Sequence, residues 1–270
     1  MSLVEEIVLG ITQGLTEFLP ISSTAHLRIV PAFVGWDDPG AAFTAVVQLG
    51  TMAAVLLYFR SDLLRITGTW LASLRDPRRR SELDARLGWY LVIGTIPIAV
   101  FGFIFKDEIE TGARDLYLIG SALIVLGLVL LLAERVGSHD RALEQIRTRD
   151  GIVVGLAQSL ALVPGVSRSG ATITAGLFEG LDRPSAARFS FLLSVPAVVL
   201  SGLFELRHVG SDSGSVGGLA VATLLAFVTG YASIAFLLRY LVAHSTAVFV
   251  AYRVALGSVV LVLVATGAIG

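Results

Sequence analysis

Two stretches of this sequence carry reactive side chains inside otherwise apolar surroundings. In residues 10–26, GITQGLTEFLPISSTAH, Gln13 and Glu17 stand four apart and so share one face of a helix. Leu19 precedes Pro20, which disfavours continued helix there. Ser22, Ser23 and Thr24 follow, and any of them can cap a second helix, with His26 one turn into it. A polar kink with backbone-satisfied hydroxyls would explain a lone Ser-Ser-Thr. A carboxylate, three hydroxyls and an imidazole within ten residues point to chemistry instead, because ionisable groups in apolar stretches are costly and mark functional sites.

The second stretch is PGVSRSGAT, residues 164–172. Gly165 and Gly170 permit tight turns and close approach of a ligand to the backbone. Ser167 or Ser169 can cap the helix that follows, and the amides at its start, with the helix dipole, favour an anion. The Arg168 guanidinium matches phosphate oxygens with its planar fork. No acid lies nearby in the stretch, so Arg168 has two candidate partners. One is Glu17, as a structural ion pair across the two segments; the other is a bound phosphate. An anion cradle, a hydroxyl, a carboxylate and a histidine are the parts that phosphoryl transfer needs. In apolar surroundings the phosphate expected is that of a lipid.

The elements that position these residues are expected to be membrane helices. The chain has 270 residues, 55% of them hydrophobic and 15% charged, against a soluble norm of about 25% charged. Its mean hydropathy is +0.81. With 20 basic and 21 acidic residues, the net charge of −1 leaves no basic excess for nucleic acid, so no nucleic-acid partner is expected. The hydrophobicity excludes a disordered chain. Cysteine is absent, which excludes disulfides and thiolate chemistry, and the four histidines lie far apart. The start, MSLVEEIVLGITQ, lacks the positive region of a secretory signal and reads as mature protein.

Six stretches reach the about 20 apolar residues that a span requires: 41–59, 87–105, 116–134, 187–206, 217–243 and 247–268. The arginine-rich linkers 60–86 and 135–150 are expected in the cytoplasm, and the acidic linker 106–115 outside, with both termini outside. The run at 78–80 suits the anionic headgroups of membrane lipids. Residues 3–35 and 151–182 are broken by polar residues and read as two re-entrant helical hairpins, since irregular backbone at membrane depth survives only inside protein or beside a wet cavity.

The hairpins resemble each other. At an offset of 155 − 10 = 145, Gly10 meets Gly155, Gln13 meets Gln158, Leu15 meets Leu160 and Ser22 meets Ser167. Each hairpin is followed by three spans, and the two open to opposite sides. This predicts an all-α polytopic fold in one domain, 1–270, built as an inverted-topology repeat of about 1–135 and 150–270 with the working site where the breaks meet.

QGLTEFLPISSTAH and PGVSRSGAT, in this order over a chain of this length, resemble the two signature motifs of the undecaprenyl-diphosphate phosphatases of the bacitracin-resistance family. The resemblance implies a bacterial inner-membrane enzyme that removes the terminal phosphate of a polyprenyl diphosphate, giving the monophosphate carrier for peptidoglycan. It implies Glu17 as base or metal-associated group, Ser23 as nucleophile or positioner of a water, and His26 as a proton-transfer group. Arg168, Ser167, Ser169, Thr172, Gly165 and Gly170 match the phosphate-binding motif, with Gln13, Ser22 and Thr24 as further substrate contacts. The resemblance also implies a divalent cation, Mg2+, held here by Glu17 and the substrate phosphates because Gln13 takes a position occupied by Glu in many relatives. A homodimer is among the assemblies allowed. A secondary transporter or lipid flippase on the same repeat is the rival class, since broken inverted repeats are common in transporters.

Weaker candidates are Thr44, Gln48 and Thr51, which share a face of span 41–59 and suit either a cavity lining or helix packing. Arg253, in AYRVALG, either supports the site or snorkels to the cytoplasmic surface. Glu205, Arg207 and Arg239 read as boundary residues, and His139, His208 and His244 as loop residues.

Overall fold

The computed structural model describes residues 1–105, 115–205 and 216–269, without the side chains of residues 41 and 201–205. The expected acidic linker lies outside the described residues except for Asp115, as do Arg207, His208 and the side chain of Glu205. The described residues form eleven α-helices and no strand. They are α1 Leu3–Glu17, α2 Ser23–Val34, α3 Gly40–Tyr58, α4 Arg60–Arg75, α5 Leu83–Ile104, α6 Leu116–Val136, α7 Thr148–Ser159, α8 Arg168–Phe178, α9 Arg183–Glu205, α10 Val216–Ala243 and α11 Ala247–Ala265.

Four of them, α5, α6, α10 and α11, are long and apolar enough to cross a membrane. The pair α3 and α4, bent by 71°, supplies a fifth candidate. Large apolar side chains face outward on these helices: Phe103 on α5 is 85% exposed and Val125, Leu128 and Leu132 on α6 about half. Contiguous apolar exposure of this kind needs a lipid solvent. The chain is therefore a multi-pass membrane protein.

Each expected span coincides with a helix, but two begin four residues earlier than hydropathy suggested. α9 starts at Arg183 because the Asp182 carboxylate accepts the Ser185 amide at 2.8 Å, a side-chain cap, and Pro184 suits the first turn. Within α5, Asp84 and Arg86 disguised the first turn: Asp84 pairs with Arg65 at 2.8 Å, and Arg86 donates to the carbonyls of Ile146 and Glu144. The linker 60–86 also differs from expectation. Residues 60–75 form α4, whose Ile66 is buried and whose Leu64, Leu71 and Leu74 are exposed, an amphipathic helix hidden beneath its arginines.

Both segments are helix, break, helix: α1 and α2 around residues 18–22, α7 and α8 around 160–167. Their first helices pack reciprocally, α1 against α10 and α7 against α5, while α6 packs against α11. Two glycines that match in the sequence permit these contacts. A Cβ on Gly10 would lie 2.5 Å from the Ala222 carbonyl oxygen, and one on Gly155 would lie 2.3 Å from the Gly94 Cα. Small residues that let backbones touch are the usual means of helix association in lipid. Between the hairpins, Phe18, Phe191 and Phe59 are buried in one ring ladder with centroids 5.6 and 6.2 Å apart.

Candidate active site

Glu17 ends α1, and three side chains converge on it. The Ser23 hydroxyl, from the first residue of α2, donates to Glu17 Oε2 at 2.6 Å. Gln13, one turn back on α1, donates its Nε2 to the same oxygen at 3.1 Å. Arg168, the first residue of α8, donates Nη2 to Oε1 at 2.6 Å. Glu17 and Arg168 keep only 10% and 15% side-chain exposure, so this is a largely desolvated ion pair across the two breaks. The structural pairing weighed for Arg168 is thus present, and it places the phosphate-seeking fork beside the candidate nucleophile.

The two breaks share an unusual local form. Ser22 has φ 74° and ψ 102°, and Ser167 has φ 72° and ψ 115°. Each caps the following helix, Ser22 Oγ accepting the Ala25 amide and Ser167 Oγ the Gly170 amide. A positive φ costs a non-glycine residue roughly 1–3 kcal/mol and persists where the surroundings demand it, typically at functional sites. The surroundings here turn the chain sharply enough to aim the first residue of each helix, Ser23 and Arg168, at Glu17. The same pattern at positions matched by the offset of 145 gives the sequence likeness a structural meaning.

Arg253 holds the breaks together, and the snorkelling alternative is overturned. Its side chain is fully buried. Its guanidinium donates to the carbonyls of Pro20 in the first break, Gly165 and Val166 in the second, and Ala122 and Leu123 on α6, at 3.0–3.3 Å. Buried irregular backbone leaves carbonyls without helical partners, and each must find another donor. One five-donor side chain serves both breaks. Gly165 is needed for its φ of 87°, and Gly170 because a Cβ there would lie 2.7 Å from Arg253 Nη1. The signal in the sequence was an arginine amid an apolar span with no acid near it.

The remaining candidates divide by place. Ser169 stitches the breaks, donating to the Leu19 carbonyl at 3.0 Å and lying 3.2 Å from Ser167 Oγ. Thr172 points away from Glu17: it donates to the Arg168 carbonyl at 2.8 Å and meets Ser190 of α9 at 2.6 Å. It braces α8 rather than lining the cluster. The Gly170 amide is taken by Ser167, which confines the amide cradle to the start of α8. Thr24 is exposed and outside the cluster. On α3, Thr44 and Thr51 bond to their own helix's carbonyls, and Thr51 is buried against Gly230 of α10, the packing role.

His26 turns from Ser23. Its Nδ1 is 2.7 Å from the Ser22 carbonyl, which can only accept, so Nδ1 carries the proton. Nε2 then meets the Tyr252 hydroxyl at 2.7 Å, with the rings nearly parallel. Tyr252 was not singled out in the sequence; nothing marked it among the aromatics of an apolar span.

No group of three or more His, Asp or Glu stands close enough to hold a metal among the described residues. The donors that fit one are Glu17 and the Oε1 of Gln13, which is buried with no hydrogen-bond partner. One carboxylate and a neutral oxygen suit magnesium that draws its other ligands from water and phosphate.

Two broken hairpins meeting inside a bundle of apolar helices, with a hydroxyl, a carboxylate and a guanidinium at their junction, define an integral membrane protein equipped for phosphate chemistry. The sequence pattern of the bacitracin resistance protein BacA family matches residues 6–259, and the chain belongs to that family. Among its curated relatives, the undecaprenyl-diphosphatase of Nocardioides sp. is 56% identical over 267 residues, covering 98% of this chain and 97% of the relative. That of Mycolicibacterium smegmatis is 56% identical over 272 residues, covering 99% and 98%. That of Chlorobaculum tepidum is 52% identical over 278 residues, covering 99% of each.

Proposed function

We propose that this chain is an undecaprenyl-diphosphatase, a membrane hydrolase that removes the terminal phosphate of undecaprenyl diphosphate and leaves the lipid monophosphate. The family and the names of its relatives support the reaction. The observation that carries the site assignment is the Glu17 junction, with Ser23 on one carboxylate oxygen and Arg168 on the other.

The geometry suits the following sequence. The terminal phosphate enters between Ser23 and the start of α8. Ser23 Oγ gives its proton to Glu17 Oε2, its side-chain partner, and attacks phosphorus in line. The bond to the bridging oxygen breaks, and the lipid monophosphate leaves with that electron pair. Protonated Glu17 no longer holds Arg168 as an ion, so the guanidinium passes to the phosphate oxygens as charge moves onto them. Water then attacks the phosphoserine phosphorus, its hydroxyl joining the phosphate and its other proton passing to a phosphate oxygen, while the bond to Ser23 Oγ breaks and Glu17 returns the proton to that oxygen. A magnesium ion, held by Glu17 and Gln13 Oε1, would supply charge neutralisation to the diphosphate.

Quenching the enzyme during turnover of substrate labelled in its terminal phosphate tests the nucleophile. Label retained on wild-type protein and absent from Ser23→Ala, with turnover down about 10³-fold, is expected. Near-wild-type turnover by Ser23→Ala would remove Ser23 from the attack and leave water as nucleophile.

His26 exchanges its proton only through Nε2, so its part in proton transfer runs by way of the Tyr252 hydroxyl. Tyr252→Phe keeps the ring and removes the relay. It is expected to lower kcat about tenfold with KM nearly unchanged, a small share of what acid–base catalysis contributes. An unchanged kcat across the pH range would take Tyr252 out of the proton path.

The local equivalence of the breaks and the reciprocal packing of α1 and α7 support an inverted-topology repeat of six spans, α3, α5, α6 and α9 to α11, with two re-entrant hairpins. The arginines of 60–86 and 135–150 support an orientation with both termini outside, and the family supports the inner membrane as its place. Transport alone would not require Ser23 on the Glu17 carboxylate, which favours the hydrolase over a flippase.

A further inference from the structure

A second polar cavity, of about 510 Å³, lies away from the Glu17 junction, among α4, the start of α5, the start of α9 and the end of α10. The rings of Phe59, Phe191 and Phe18 stand between the two. Its walls are of two kinds. Arg65, Arg188 and Arg239 supply the polar wall, together with the carboxylates of Asp62 and Glu144; Leu192, Leu238 and Val242 supply an apolar one.

The three arginines differ in how they are held. Arg188 donates to both oxygens of Asp62 at 2.8 Å, with its guanidinium carbon 5.8 Å from the centre of the Phe59 ring. Arg65 shares Asp62 at 3.1 Å and takes Asp84 at 2.8 Å. Arg239 is exposed, and among the described residues no side chain or carbonyl pairs with it. Asp62 and Asp84 engage Arg188 and Arg65, so the group carries no net excess of charge, and Arg239 is its one unengaged cation among the described residues, at the mouth of a cleft whose far wall is hydrocarbon. Arg188, held on Asp62, and Arg239, unengaged on the same cavity, offer planar donors of the kind that match phosphate oxygens. Val242, 73% exposed at the rim, opens the apolar wall toward the bilayer.

We propose that this cavity binds the phosphate group of a membrane lipid at the arginine-rich end of the bundle, with the lipid chain along Leu238 and Val242. The phosphate bridges Arg239 and Arg188, and Asp62 keeps Arg188 and Arg65 in place when the site is empty. The site is independent of the hydrolase reading, since none of its residues touches Glu17, Ser23 or Arg168.

Native mass spectrometry of the full chain in detergent, titrated with dioleoyl phosphatidic acid, tests the proposal. Dioleoylglycerol serves as the uncharged control and inorganic phosphate as competitor. Wild-type protein is expected to bind one more phosphatidic acid than Arg239→Ala, whose apparent affinity for that molecule falls about tenfold, the loss of one charge-assisted contact. Val242→Glu, which sets a carboxylate at the rim, is expected to do the same, while Arg78→Ala on the exposed turn changes nothing. Phosphate release from polyprenyl diphosphate stays within about twofold of wild type in Arg239→Ala, as a separate site requires. Equal adducts in wild type and both cavity variants, or equal binding of dioleoylglycerol, would overturn the proposal. Displacement by inorganic phosphate at matched concentration would make the free anion the ligand and overturn the lipid assignment.

Discussion

Arg168→Ala is expected to lower turnover of a polyprenyl diphosphate about 10³-fold. Loss of one preorganised donor to developing charge costs about 2.7–4 kcal/mol, which is 10²–10³ in rate. Arg168 also holds Glu17 at 2.6 Å in a largely desolvated pair, and removing one member of such a pair costs about 3–5 kcal/mol of stability, because the other charge is left without compensation. Rate and stability are separable. The double variant Glu17→Gln with Arg168→Ala removes both charges and is expected to regain much of the lost thermal stability while remaining inactive. Arg168→Lys keeps the charge without the planar fork and is expected to recover stability more than rate. Full activity in Arg168→Ala would contradict the site assignment.

The second large effect belongs to Arg253, which touches neither Glu17 nor Ser23. Arg253→Met keeps the length and apolar stem and removes every donor. Five carbonyls in the two breaks and α6 lose their partner in a region where water cannot replace it. An unsatisfied buried acceptor costs about 1–3 kcal/mol, and even with partial relaxation the sum exceeds the about 4–5 kcal/mol that marks an exceptional substitution. Arg253→Met is therefore expected to melt far below wild type in detergent and to show little phosphate release even when folded at low temperature, because Ser23 and Arg168 lose their common anchor. Arg253→Lys, with three donors, is expected to fall between. A wild-type melting temperature for Arg253→Met would show that the breaks hold themselves.

These two arginines mark how far the sequence could be read. Arg168 was legible because its motif is local: glycines, hydroxyls and a guanidinium within nine residues. Its bond to Glu17 was foreseeable as one of two partners, since a buried cation must find an anion somewhere. Arg253 was legible only in part: an arginine in an apolar span left site support and snorkelling both open, because its partners are main-chain carbonyls, which every residue has, gathered from three segments more than 80 residues away along the chain. Tyr252 escaped for a similar reason, since its bond to His26 depends on how α11 packs near α2. The likeness of the two segments, four identities in seventeen, was slight on paper, yet two of the four pairs do matching work: Gly10 and Gly155 at helix contacts, Ser22 and Ser167 at the strained caps. Helix α4 was hidden because its arginines outweighed its apolar face. The arginine pocket was invisible as a unit, since its five segments meet only in the fold.

The most direct test is phosphate release from a long-chain polyprenyl diphosphate by the purified chain, with and without magnesium, beside Glu17→Gln. The amide keeps the shape of Glu17 and can still meet Ser23, but it cannot take the Ser23 proton or hold Arg168 as an ion. The account predicts release by wild-type protein that depends on the cation and falls about 10²–10³-fold in Glu17→Gln, the range for loss of a general base. Release by Glu17→Gln at the wild-type rate, or none from folded wild-type protein, would contradict it.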